Sequence, residues 1–134
     1  MEIYIKSLKV LEHVYILTAT LPKSESFNMI SQINRSALSI SSNIAEGSGR
    51  GSDKDFARFL SMAKGSLYET FSVASAINIV YPIYAPEIHN LQSMLDELEK
   101  EITLFHKYLN RVPSTPRRGV VRAKLDVVTE RNPS

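Results

Sequence analysis

The side chains able to do chemistry are few, and none falls into a catalytic spacing. The three histidines, His13, His89 and His106, lie in segments of helical periodicity without the second histidine that an H-E-x-x-H zinc helix places one turn away. The serines have neither a strand-to-helix elbow nor a histidine with an orienting acid, so acyl transfer has no triad. Glu46 and Glu69 could meet across two helices. One carboxylate pair is a thin basis for metal or acid-base work, and pairing of Glu46 with Arg35 or Arg50 is the structural alternative. Gly47, Gly49 and Gly51 look like a phosphate loop, yet they follow a helix rather than a strand and no G-K-[ST] closes them, so they read as an interhelical turn. No catalytic residue, metal site or cofactor is expected.

Charge is what remains. Arg35, Arg50, Lys54, Arg58 and Lys64, followed late in the chain by Arg117, Arg118, Arg122 and Lys124, are candidates for contact with RNA phosphates. Arg50, Lys54 and Arg58 are spaced i, i+4 and i+8 across a glycine-rich corner, so a tight turn would gather them into one patch. The net charge of +2 is unevenly spread: residues 1–111 carry 11 Lys or Arg against 12 Asp or Glu, while residues 112–134 carry 5 against 2. A near-neutral body has little general pull on nucleic acid, so any RNA surface on it must be local.

Helices must hold these groups. Ile88, Leu91, Leu95, Leu98, Ile102, Phe105 and Leu109 step by alternating three and four residues, an a/d seam that predicts a helix over about 86–111. Ser52 and Asp55 form a capping-box-like start to a helix over 53–80, with Phe56, Phe59, Leu60, Ala63, Leu67, Phe71 and Ala74 on one face. Gly65 inside it suggests close approach of a neighbouring helix. A first helix over about 2–20 carries Val10, Val14, Leu17 and Leu21, flanked by Leu8, Leu11 and Tyr15, a stripe wide enough for two neighbours, before Pro22. A second, over about 27–47, turns Ile33, Ala37, Ile40 and Ile44 inward and ends at the glycine run. Short connections then give an all-α, antiparallel up-down-up-down four-helix bundle over 1–111. Residues 112–134, with Pro113, Pro116 and five basic residues, are expected to be a flexible basic tail, although Val120, Val121, Leu125, Val127 and Val128 could order on a partner.

The second helix also has a polar side. Arg35, Ser39, Asn43, Glu46 and Arg50 fall within an arc of about 80° opposite the apolar stripe. Ser39 and Asn43 are poor helix formers for a plain solvated face, which favours a second contact surface, between subunits or structural.

These same residues carry a resemblance. The stretch QINRSALSISSNIAEGSGRGSDKDFARFL, with the later AKGSLYE, is similar to the signature of the 23S rRNA intervening-sequence protein family. The match includes Pro22, Phe27, Gln32, Arg35, Ser39, Asn43, Ile44, Ala45, Glu46, Gly47 and Arg50, then Phe59, Leu60, Gly65, Ser66, Leu67 and Glu69, and covers about residues 5–110. The resemblance implies a bacterial four-helix bundle that forms cyclic homopentamers, without known catalytic activity, and encoded in inserts of rRNA genes or alone. A distant branch, the accessory proteins of diversity-generating retroelements, implies a second reading: a subunit that binds a reverse transcriptase and its template RNA. The basic tail departs from the usual family end.

With no cysteine, no signal-peptide pattern and no apolar run of the roughly 20 residues needed to cross a bilayer, a cytoplasmic chain without membrane contact is expected. The first expectation for function is a non-enzymatic oligomer associated with structured RNA or an RNA-protein complex. The alternatives are a protein-binding accessory subunit and, more remotely, a hydrolase dependent on Glu46 or Glu69.

Overall fold

The computed structural model describes residues 1–111. These form four helices, α1 (Glu2–Thr18), α2 (Met29–Ser48), α3 (Asp53–Val80) and α4 (Ala85–Leu109), with short 3-10 turns at Lys23–Glu25 and Pro82–Tyr84 and no strand among the described residues. Each helix packs on its neighbours in sequence and α1 closes against α4, so the four make an all-α up-down bundle. The bundle has two unlike ends. The loop end holds the α1–α2 and α3–α4 connections. The turn end holds the α2–α3 corner, the first turn of α1 and the last turn of α4.

The core follows the periodicity. Ile33, Ala37, Ile40 and Ile44 of α2 are buried, as are Val10, Val14 and Leu17 of α1 and Phe56, Leu60, Ala63, Leu67, Ala74 and Ile77 of α3. The α4 seam is buried except at Phe105, which is half-buried and meets Phe56 at 5.3 Å between ring centroids. Of the residues flanking the α1 stripe, Leu8 and Leu11 are half-buried while Tyr15 is exposed.

Local chemistry sets the helix ends. Ser52 Oγ accepts from the Asp55 amide at 3.1 Å and caps α3, as its position before Asp55 implied. The first helix stops at Thr18, short of residue 20. The Thr20 and Leu21 amides reach back to Leu17 and Thr18 in a tightened turn, which drops Leu21 into the core ahead of extended Pro22. The second helix starts at Met29 rather than 27, and Phe27 is left fully exposed.

Two glycines depart from their expected roles. Gly47 belongs to the last turn of α2 rather than to a loop, and a Cβ there would lie 2.6 Å from Phe59 Cβ and 2.9 Å from Phe56 Cδ1. It is the contact that lets α2 and α3 close. Gly65, by contrast, is exposed and a Cβ on it would meet nothing within 4 Å, so the close approach expected there does not occur within the chain.

Candidate interaction surface at the α2–α3 corner

The polar side of α2 faces α3 at its inner edge and solvent at its outer edge. Ser39 Oγ and Ser66 Oγ are 2.8 Å apart, and Asn43 Nδ2 donates to the Ser39 carbonyl (2.9 Å) and to Ser39 Oγ (3.1 Å). Deeper along the same interface the buried Thr70 hydroxyl is 2.8 Å from Ser36 Oγ and 2.9 Å from the Ser66 carbonyl. Ser39 and Asn43 therefore have a task inside the chain: they belong to a polar seam between α2 and α3. Ser36, Ser66 and Thr70 do not stand out in the sequence as members of this seam. Their spacing held a signal, since Ser36, Ser39 and Asn43 on α2 and Ser66 and Thr70 on α3 are two helical stripes of small polar residues.

Arg35 is exposed at the loop-end side of the stripe and donates to Ser31 Oγ at 3.4 Å. Glu46 and Arg50 pair across one turn at 3.5 Å, and Arg50 Nε also reaches Asp55 Oδ2 at 3.8 Å. Arg58 Nε donates to the other Asp55 oxygen at 3.0 Å. The Arg50 and Arg58 guanidiniums both lie on the Phe59 ring, at 4.8 and 4.6 Å from its centroid. The corner is tight and does gather its cations, but around an aromatic ring and a shared carboxylate. Phe59 reads as core in the sequence, and its role as a platform for both guanidiniums is not apparent there.

The other candidates are scattered. Lys54 is exposed and lines an open cleft with Arg58, His106 and Asn110 between the start of α3 and the end of α4. Lys64 pairs with Glu99 at 3.5 Å. Hydrogen bonds to the Glu99 carboxylate, from Thr103 first and then from Tyr68, hold its pKa below the ordinary value, with help from the Lys64 charge. His106 Nε2 is 3.1 Å from Ser61 Oγ. Glu46 is engaged by Arg50, Glu69 is exposed, and no group of three or more His, Asp or Glu that could hold a metal occurs among the described residues. Arg117, Arg118, Arg122 and Lys124 lie outside the described residues, as does the rest of the segment expected to be a tail.

Folding sorts the charges along the bundle axis. The turn-end half, residues 1–9, 39–64 and 97–111, holds nine Lys or Arg against seven Asp or Glu; the loop-end half holds two against five. Residues 112–134 follow α4 from the basic end. No helix among the described residues is long and apolar enough to cross a membrane.

Comparison with known proteins fits this architecture. A crystal structure of a protein of unknown function from the S23 ribosomal protein family of Bacteroides thetaiotaomicron superposes with a TM-score of 0.72 at 26% identity, covering 78% of this chain and 98% of that one. No curated protein matches. The family model described as 23S rRNA-intervening sequence protein matches residues 1–104, taking in all of α1, α2 and α3 with most of α4, and the chain belongs to that family.

Proposed function

We propose that this chain is a non-enzymatic, self-assembling helical bundle that associates with structured RNA or an RNA-protein complex, engaging phosphates from its turn end. The observation that carries the reading is the axial sorting of charge, with the basic half of the body continuing into a segment of net +3. The family name, which ties such chains to inserts in 23S rRNA, supplies the class of nucleic acid. Arg50, Arg58 and Lys64 already face carboxylates, so the body adds modestly and the later cations Arg117, Arg118, Arg122 and Lys124 add most. Self-assembly, for which the resemblance implies a ring of five, would repeat this modest surface and let weak contacts add by avidity.

The test is filter binding of the full chain to structured 23S rRNA fragments across a salt series, beside a variant with Arg117, Arg118, Arg122 and Lys124 changed to alanine. Binding should weaken as salt rises. The variant's log-log salt slope should be shallower by about 0.7–0.9 for each phosphate it no longer neutralises. No binding above background at physiological salt overturns the RNA reading, and an unchanged slope in the variant overturns the assignment to those cations. Capture of a reverse transcriptase without RNA would move the reading to the accessory-subunit role. A monomer in light scattering would remove self-assembly.

A further inference from the structure

The loop end, acidic where the turn end is basic, contains an open groove of about 160 Å3 between α1 and α4. Leu17 and Leu91, both buried, form its floor, and Ile16 and Glu87 stand on its two sides. His13, Thr20 and Asn90 complete the lining. Just beyond it, one turn before Ile16 (63% exposed) on α1, is the exposed Glu12, and one turn before Glu87, in the turn leading into α4, is Ile83, 82% exposed. Among the described residues neither Glu12 nor Glu87 has an ion-pair partner.

Such a groove fits a segment in which aliphatic and cationic residues alternate closely. This chain contains one, Val120-Val121-Arg122-Ala123-Lys124-Leu125, in the part that continues from the opposite end of the bundle. Reach decides which copy supplies it. The 22 residues from Glu87 to Leu109 make α4 rise about 33 Å between groove and turn end. The 11 residues from Leu109 to Val120 span at most about 36–40 Å fully stretched. A chain filling its own groove would have to hold that whole stretch straight against α4, at a large cost in backbone entropy. A second copy has no such constraint.

We propose that the α1/α4 groove at the loop end is a docking site for residues 120–125 of a second copy, with the aliphatics on Leu17, Leu91 and Ile16 and Arg122 and Lys124 facing Glu87 and Glu12. The contact joins unlike surfaces and is therefore head-to-tail. It also draws on Arg122 and Lys124, two of the cations assigned above to RNA, so on that reading the two engagements compete for them.

The experiment is fluorescence anisotropy, without RNA, of a labelled synthetic peptide of residues 112–134 titrated with the full chain. Saturable binding that weakens with salt is expected. Ile16→Asp, which puts a charge on the apolar wall, should weaken it about tenfold or more. Ile83→Asp is the second variant should Ile16→Asp disturb the fold by circular dichroism. A peptide carrying Arg122→Glu and Lys124→Glu should bind the natural chain poorly and regain affinity for a chain carrying Glu12→Lys and Glu87→Lys. Absence of saturable binding, equal binding by the aspartate variants, or no recovery in the charge swap each overturns the proposal.

Discussion

Gly47 and Gly65 lie inside helices, and their surroundings make opposite demands. Gly47→Ala forces a Cβ to within 2.6 Å of the Phe59 Cβ, so α2 and α3 must part at the corner; a destabilisation of about 1–3 kcal/mol is expected from urea denaturation. Gly65→Ala enters open space on an exposed face of α3 and should stabilise an isolated bundle by about 0.5–1 kcal/mol through helix propensity. If alanine at 65 instead lowers stability or changes particle size in light scattering, another subunit approaches there. The sequence alone suggests the reverse of these surroundings, a loop role for Gly47 and a close neighbour for Gly65. Composition shows that a glycine is present. Only the packing of α2 on α3 shows which one has no room for a methyl group.

Between elements, two kinds of polar contact hold the bundle in register. On the α2–α3 side the seam through Ser36, Thr70, Ser66, Ser39 and Asn43 is hydrogen-bonded and partly buried. Thr70→Val removes a fully buried hydroxyl from its bonds to Ser36 and Ser66 and should cost about 1–2 kcal/mol. Adding Ser36→Ala should cost less than the sum of the two single changes, because the unpaired oxygen is then removed, and a double-mutant cycle in urea measures the difference. On the α1–α4 side Lys6 reaches Glu97 at 2.9 Å and, closer still, Glu101, while pairing within its own helix with Glu2 at 3.4 Å. The hydrogen bond from Lys6 and its charge hold the Glu97 pKa below its ordinary 4.5, and Glu99 is depressed as well. A carboxylate with a depressed folded-state pKa stabilises the fold above its unfolded value and gives up that contribution as pH falls through the folded value. The thermal midpoint should therefore fall on acidification below about pH 4.5, and fall less steeply in Glu97→Gln with Glu99→Gln. Periodicity could mark Ser39 and Asn43 as unusual for a helix surface. It could not pair them with Ser66, because the rotation of α3 against α2 is set by how the two helices pack, at Gly47 against Phe56 and Phe59 among other contacts, and not by the stripe on α2 alone.

At the scale of the whole molecule, the four helices and their order were legible because each apolar stripe is long and regular; the α4 seam alone predicts six of the residues buried in that helix. Boundaries were less legible where connections compete with helix, as in the tightened turn after Thr18 and the 3-10 turn at Pro82–Tyr84. The candidate surface was legible in its residues but not in its balance. Arg50 and Arg58 do converge, yet each meets Asp55, which lies too near in sequence for a count of charges to separate supporting from opposing groups. The sorting of charge along the axis was hidden for a related reason, since it depends on which helices run up and which run down.

The Lys6 contacts with Glu97 and Glu101 also place the first turns of α1 beside the last turns of α4. Residues near 1 and 111 thus lie at one end of the bundle, while the glycine-bearing corner at Gly49–Gly51 is exposed between α2 and α3. In a chain shortened to residues 1–111, a short linker could join the two ends and a cut at that corner could supply new ones. Such a circular permutant would keep all four helices but reverse the order in which paired hairpins leave the ribosome, giving a direct way to ask whether α2 and α3 must form first.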